Sequence, residues 1–150
     1  MVHAEVAKYA ENNRDKPIDE LTREVIGLAM RIHTALGPGL FEKVYETVLV
    51  GKLVEAGYRV EQQLPVDIEF EGSSFANAFK IDILVDQRLI IEIKSSEKLS
   101  PIYAKQLLTY LRLKKLPVGL VLNFGCLSMM DGIKRVVNNH KDSAKSARSA

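Results

Sequence analysis

Phe79-Lys80-Ile81-Asp82-Ile83-Leu84-Val85-Asp86-Gln87-Arg88-Leu89-Ile90-Ile91-Glu92-Ile93-Lys94 decides the fold class of this 150-residue chain. Two apolar runs rich in β-branched residues, 79–85 and 89–94, flank Asp86-Gln87-Arg88, which reads as the tight turn of an antiparallel hairpin. Side chains alternate faces along a strand, so Glu92 and Lys94 share one face while Ile91 and Ile93 share the other. Asp82 and Glu92 interrupt segments that otherwise read as core, and burying either charge alone costs on the order of several kcal/mol. Both carboxylates therefore need partners. One answer is a hard divalent cation, Mg2+ or Mn2+, taking oxygens from both side chains and from a backbone carbonyl near Ile93. Such an ion polarises a phosphoryl oxygen and activates water, with Lys94 orienting that water or offsetting developing charge. The other answer is structural: Asp82 flanks a strand, and Glu92 and Lys94 form a same-face ion pair. Zinc is not expected, since His3, His33 and His140 are scattered and Cys126 is the only cysteine.

Working outward, Leu21, Val25, Leu28 and Ile32 have helical spacing from Ile18 onward, with Asp19 as N-cap and Gly37 as stop. Gly37-Pro38-Gly39 makes a corner; as a phosphate loop it is a weak candidate, because it follows a helix rather than a strand. A second helix runs from about Leu40 to Ala56 and is closed by Gly57. Glu42 lies in its first turn, where the helix dipole alone favours a carboxylate, and Tyr45 shares its face. Tyr58–Phe70 reads as a strand, with Pro65 marking an edge, bulge or break. Pro101 opens a helix to about Lys115, with Gln106 and Tyr110 four apart on one face. Val118–Phe124 is apolar enough for a central or parallel strand, and Met129–Val137 reads as a last short helix. His33 is expected to cap or pack, and Cys126 to pack. The order predicts an α/β (α+β) sandwich whose third and fourth strands, joined by a helix, run parallel.

Composition fits one soluble globular domain, at 47% hydrophobic and 27% charged residues. No apolar run reaches the roughly 18–20 residues that span a bilayer, and no signal-peptide core is evident, so a cytoplasmic location and no membrane partner are expected. The net charge of +2 hides an asymmetry: residues 1–80 carry 9 basic and 13 acidic side chains, residues 81–150 carry 12 and 6. A basic half around a carboxylate site suits a polyanion; a solvated helix face with a basic tail gives the same count. The expected division is an arm over 1–17, a domain over 18–137 and a basic, mobile tail over 138–150.

Asp82 followed by Glu92-Ile93-Lys94 resembles the D…(D/E)xK signature of the PD-(D/E)XK nuclease superfamily. Gly39-Leu40-Phe41-Glu42-Lys43-Val44-Tyr45 further resembles the pattern that names its GxxExxY branch, and the likeness extends over about residues 18–137. The resemblance implies a restriction-endonuclease-like αβββαβ core, with a mixed four-stranded sheet flanked by helices. It implies a metal-dependent phosphodiester hydrolase, nuclease-like, acting on nucleic acid, with DNA ahead of RNA and a homodimer or protein partner for recognition. Asp82, Glu92 and Glu42 are then the Mg2+ or Mn2+ ligands, and Lys94 joins Asp82 and Glu92 as the catalytic set. Gln106-Leu107-Leu108-Thr109-Tyr110 is similar to the QxxxY element of RecB-type nucleases, so Gln106, Tyr110 and Tyr45 are the expected substrate-positioning residues. Ile81 stands where the superfamily's name has proline. The competing reading is an inactive nucleic-acid-binding or regulatory module that keeps the fold.

Overall fold

A computed structural model describes residues 16–138; the expected tail beyond Asn138 and all but the end of the expected arm lie outside the described residues. Helices α1 (Ile18–Leu36) and α2 (Glu42–Glu55) are followed by strands β1 (Val60–Phe70), β2 (Ser73–Val85) and β3 (Leu89–Lys94). Helix α3 (Pro101–Lys114) then leads to β4 (Val118–Asn123) and β5 (Ile133–Val137). The five strands lie in sequence order in one mixed sheet. Only β3 and β4 pair in parallel, across the α3 crossover, and the other neighbours are antiparallel. The α/β class and the parallel pair are as the sequence indicates.

Two expectations are corrected. The sheet has five strands rather than four, because Met129–Val137 is not a helix: a 3-10 turn at Met130–Gly132 feeds β5, which pairs with β4 from Val118↔Val137 to Leu122↔Ile133. Open main-chain groups along β4 give Ile133, Val136 and Val137 a ladder to join, which outweighs their helix-like spacing. Asp19 is not the N-cap of α1 either. Pro17 holds that position without a side-chain bond, and Asp19, in the first turn, accepts from Arg135 Nη2 at 2.7 Å.

The sheet divides the core in two. On one face α1 and α2 bury Leu21, Val25, Leu49 and Leu53 against Ile83, Ile91, Ile93, Leu120 and Leu122. On the other, α3 buries Leu107 and Leu111 against Ile81, Leu84, Ile90 and Val121. Ser100 caps α3 by accepting from the Ile102 amide, with Pro101 in the first turn. Gly119 lets α3 sit close: a Cβ there would lie 2.9 Å from Leu107 Cδ1 and 3.1 Å from the Ile90 carbonyl.

One break in the alternation positions the site. Ile83 and Val85 belong to the α1/α2 face, yet Ile81 belongs with Leu84 on the α3 face. On β1 the same change separates Val60 from Leu64 and Val66. Both strands change face between the pairs Gln62↔Ile83 and Leu64↔Ile81, where Gln63 stands opposite Asp82. The β2–β3 ladder also ends there, at Ile83↔Ile91. Asp82 thus sits where β2 parts from β3 while staying paired with β1.

Candidate active site

Where β2 and β3 separate, their carboxylates take over the main-chain hydrogen bonding. The Asp82 amide donates to Glu92 Oε1 at 3.2 Å, and the Ile93 amide donates to Asp82 Oδ2 at 2.9 Å. Each acid is thereby fixed against the other's strand. Glu92 is buried, on the α3 face with Ile90, whereas Asp82 is half-buried. Burial first, and then the Asp82 charge, push the Glu92 carboxyl up to about 9; Lys94 counteracts this only weakly. Desolvation and a neighbouring anion both favour the proton-bearing form.

Lys94 shares the Glu92 face, but its ammonium lies 4.9 Å from the centre of the Tyr103 ring, a cation–π contact. Tyr103 on α3 exchanges a 3.0 Å hydrogen bond with Ser96 Oγ, and Ser96 is held in turn by Asn123. Asn123 is fully buried; its Oδ1 accepts from the Ser96 and Gly125 amides, and its Nδ2 donates to Ser96 Oγ and Cys126 Sγ. A Cβ on Gly125 would fall 2.3 Å from the Ser96 carbonyl, and one on Gly132 2.1 Å from that of Asn123. The loop after Lys94 is therefore clamped to the loop after β4. Cys126 packs as expected, and His33 Nε2 hydrogen-bonds the Cys126 carbonyl at 2.8 Å.

Tyr110 comes to the carboxylates. Its ring stacks on Phe79 of β2, with centroids 4.1 Å apart, and its hydroxyl is pushed above its usual range by burial and then by the charges of Glu92 and Asp82. Gln106, one turn earlier, is exposed.

Tyr45 and Glu42 take other places. Tyr45, expected to position substrate, is fully buried and stacks on Phe124 at 4.4 Å. Its hydroxyl donates to the Gly37 carbonyl at 2.6 Å and accepts from the Leu40 amide at 3.0 Å, pinning the α1–α2 corner. A buried phenol needs such partners, and the corner supplies them. Glu42 is exposed in the first turn of α2; among the described residues no three His, Cys, Asp or Glu side chains gather as a metal cage, so Glu42 does not join Asp82 and Glu92. Glu46, one turn on, is the acid that α2 buries towards the sheet. Its carboxylate accepts from Gln62 Nε2 and Gln63 Nε2, both at 2.9 Å, and Gln63 Nε2 also donates to Asp82 Oδ1 at 3.3 Å. Sequence reasoning missed Glu46, Gln63 and Tyr103. Glu46 alone left a signal: it lies three before Leu49 and seven before Leu53, on the buried stripe.

A family model described as the PD-(D/E)XK nuclease superfamily matches residues 19–136. The chain belongs to the PD-(D/E)XK nuclease superfamily. No curated protein and no solved structure gives a significant match. The five-stranded mixed sheet with flanking helices is consistent with the restriction-endonuclease-like core of the superfamily. Members of the PD-(D/E)XK superfamily are typically metal-dependent. The donor set fits a hard cation: two carboxylates converge, and among the described residues neither has an ion-pair partner. A surface groove between α1 and α2, lined by Leu28, Ile32, Val48 and Ala56, shares no residue with this pair.

Proposed function

We propose that this chain is a metal-dependent phosphodiester hydrolase of the GxxExxY branch, acting on nucleic acid, with DNA as the favoured target. The observation that carries this reading is the Asp82–Glu92 pair, two acids brought together at a strand separation with Lys94 on the Glu92 face. Asp82 and Glu92 are the residues that would hold Mg2+ or Mn2+, which when bound supplies Lewis acidity at the phosphate and lowers the pKa of water. Lys94 contributes a positive charge on the same face, aimed by Tyr103 so that it reaches a substrate phosphate rather than saturating Glu92. The Tyr110 hydroxyl is a donor for a phosphate oxygen brought beside the carboxylates. Exposed Lys98 and Lys105, before and within α3, extend the positive surface along which a polyanion would lie.

The test is a cleavage assay with Mg2+ or Mn2+ on single- and double-stranded DNA and RNA, with Glu92→Ala as control. Cleavage that needs the cation and disappears in Glu92→Ala is the expected result. Binding should weaken steeply with salt, and Lys98→Glu with Lys105→Glu should lower the slope. Nucleic-acid binding without cleavage in either metal would make the chain a binding module; salt-insensitive binding would point to a small-molecule ligand.

A further inference from the structure

Gln63 is a glutamine with φ of +49° inside a paired strand. This left-handed conformation disfavours side chains other than Gly, Asn and Asp. The second such residue within a strand, Asn77, lies where the β1–β2 register shifts, between Val66↔Phe79 and Ile68↔Phe75. At Gln63 the register is the same on both sides, Gln62↔Ile83 before and Leu64↔Ile81 after, so no inserted residue forces the turn. What the conformation achieves lies at the end of the side chain. The Gln63 amide nitrogen donates both to Glu46 Oε1 at 2.9 Å and to Asp82 Oδ1 at 3.3 Å. Strained backbone that persists within an ordered ladder points to a role for the group it aims. Glu46 is buried, and its other oxygen is taken by Gln62, so α2 is tied to the site through this one amide.

We propose that Gln63 is a positioning residue for the metal site: its amide links Glu46 to Asp82, orients the Asp82 carboxylate, and makes Glu46, not Glu42, the acid that α2 lends to the site. The inference rests on the metal-dependent reading above. Asp82 has one oxygen fixed by the Ile93 amide and the other by Gln63, so its plane is set from two sides before a cation arrives. Preorganising a ligand in this way lowers the cost of binding.

Calorimetric titration of Mn2+ into the full chain, without nucleic acid, tests this alongside melting in EDTA. Gln63→Gly removes the amide while suiting the left-handed backbone. It should change the melting temperature little, because relief of the left-handed strain offsets the lost bond to Glu46, yet weaken Mn2+ binding at least tenfold. Glu46→Gln should also weaken Mn2+ binding at least tenfold, and Glu42→Gln should stay within twofold of the parent. Gln63→Glu places a third carboxylate between the other two, so its melting temperature in EDTA should fall and its rise on adding Mn2+ should exceed the parent's. If Gln63→Gly binds Mn2+ like the parent while Asp82→Asn does not bind, the proposal fails and the metal reading stands. If the parent binds no Mn2+, both fail. Should Gln63→Gly not fold, Gln63→Asn, which tolerates the backbone but carries a shorter arm, answers the same question.

Discussion

Glu24 on α1 and Glu92 on β3 are both acids drawn away from water near a tyrosine, and their carboxyls move in opposite directions. Burial acts to raise Glu24, but hydrogen bonds from Tyr58 and Lys16, together with the Lys16 charge, outweigh it and hold the carboxyl below its usual value. Hydrogen bonds to Tyr58 and Glu24 raise Lys16; burial first, and then the bond to Glu24, push Tyr58 up to about 12 against the opposing Lys16 contact. At Glu92 burial acts in the same sense, but the neighbour is Asp82, and the nearest lysine is held over a ring instead of against the carboxylate. The first cluster is neutral within itself and fastens residue 16 to α1 and the end of α2. The second sets the Glu92 carboxyl beside the Asp82 charge with no cation against it. One arrangement ends in stability, and the other stores affinity for positive charge.

The strongest way to break this contrast is at Lys94. If its charge serves chemistry, Lys94→Ala should lower cleavage by roughly 10²–10³-fold and leave Mn2+ affinity unchanged. Loss of Mn2+ binding in Lys94→Ala would instead make it a structural partner of the pair. The pH dependence of stability comes next in size. Folded Glu92 keeps its proton up to about 9 against an ordinary 4.5, so between those values the folded chain binds more protons than the unfolded one. Stability in EDTA should therefore fall as pH rises through that window, by on the order of a few kcal/mol, and Glu92→Gln should flatten the slope. Urea melts at pH 5, 7 and 9 read this directly; an unchanged slope in Glu92→Gln would remove the basis of the comparison.

Tyr110→Phe sharpens the picture on the site side. Loss of its hydroxyl should slow cleavage about fivefold, the worth of roughly one hydrogen bond, with little change in melting because the Phe79 stack remains. The smallest effect is expected at Glu24. Its depressed carboxyl contributes stability above the ordinary carboxylate range, lost as pH falls through its folded value. With the side chain 34% exposed, that contribution should be under about 1 kcal/mol and screened by salt. Acid melts of Glu24→Gln should show a correspondingly shallower loss; a slope of the same sign as at Glu92 would contradict the assignment.

Much of this was legible because β2 and β3 are apolar enough for two acids to stand out, and because Asp86-Gln87-Arg88 fixes their pairing. The turns at Gly37 and Gly57, both with positive φ, were equally plain. β5 was not, because Met129, Ile133, Val136 and Val137 fit a helical stripe, and only the open edge of β4 decides otherwise. Glu42 attracted attention through a motif, whereas Glu46 was passed over, since helix spacing alone does not say which turn meets the sheet. Gln63 was hidden more deeply: its role depends on a change of face that no alternation pattern announces. Tyr45 shows the converse, a residue marked by its motif whose work is to hold a corner.

The two margins of the sheet carry one more consequence. β1 forms one margin and holds Pro65, which has no N–H to offer; β5 forms the other, is five residues long, and exposes Lys134 and Arg135. Unpaired strand margins invite chain-to-chain stacking, and proline, brevity and cationic side chains each discourage it. Copies of this domain at high concentration are thus discouraged from joining sheet to sheet.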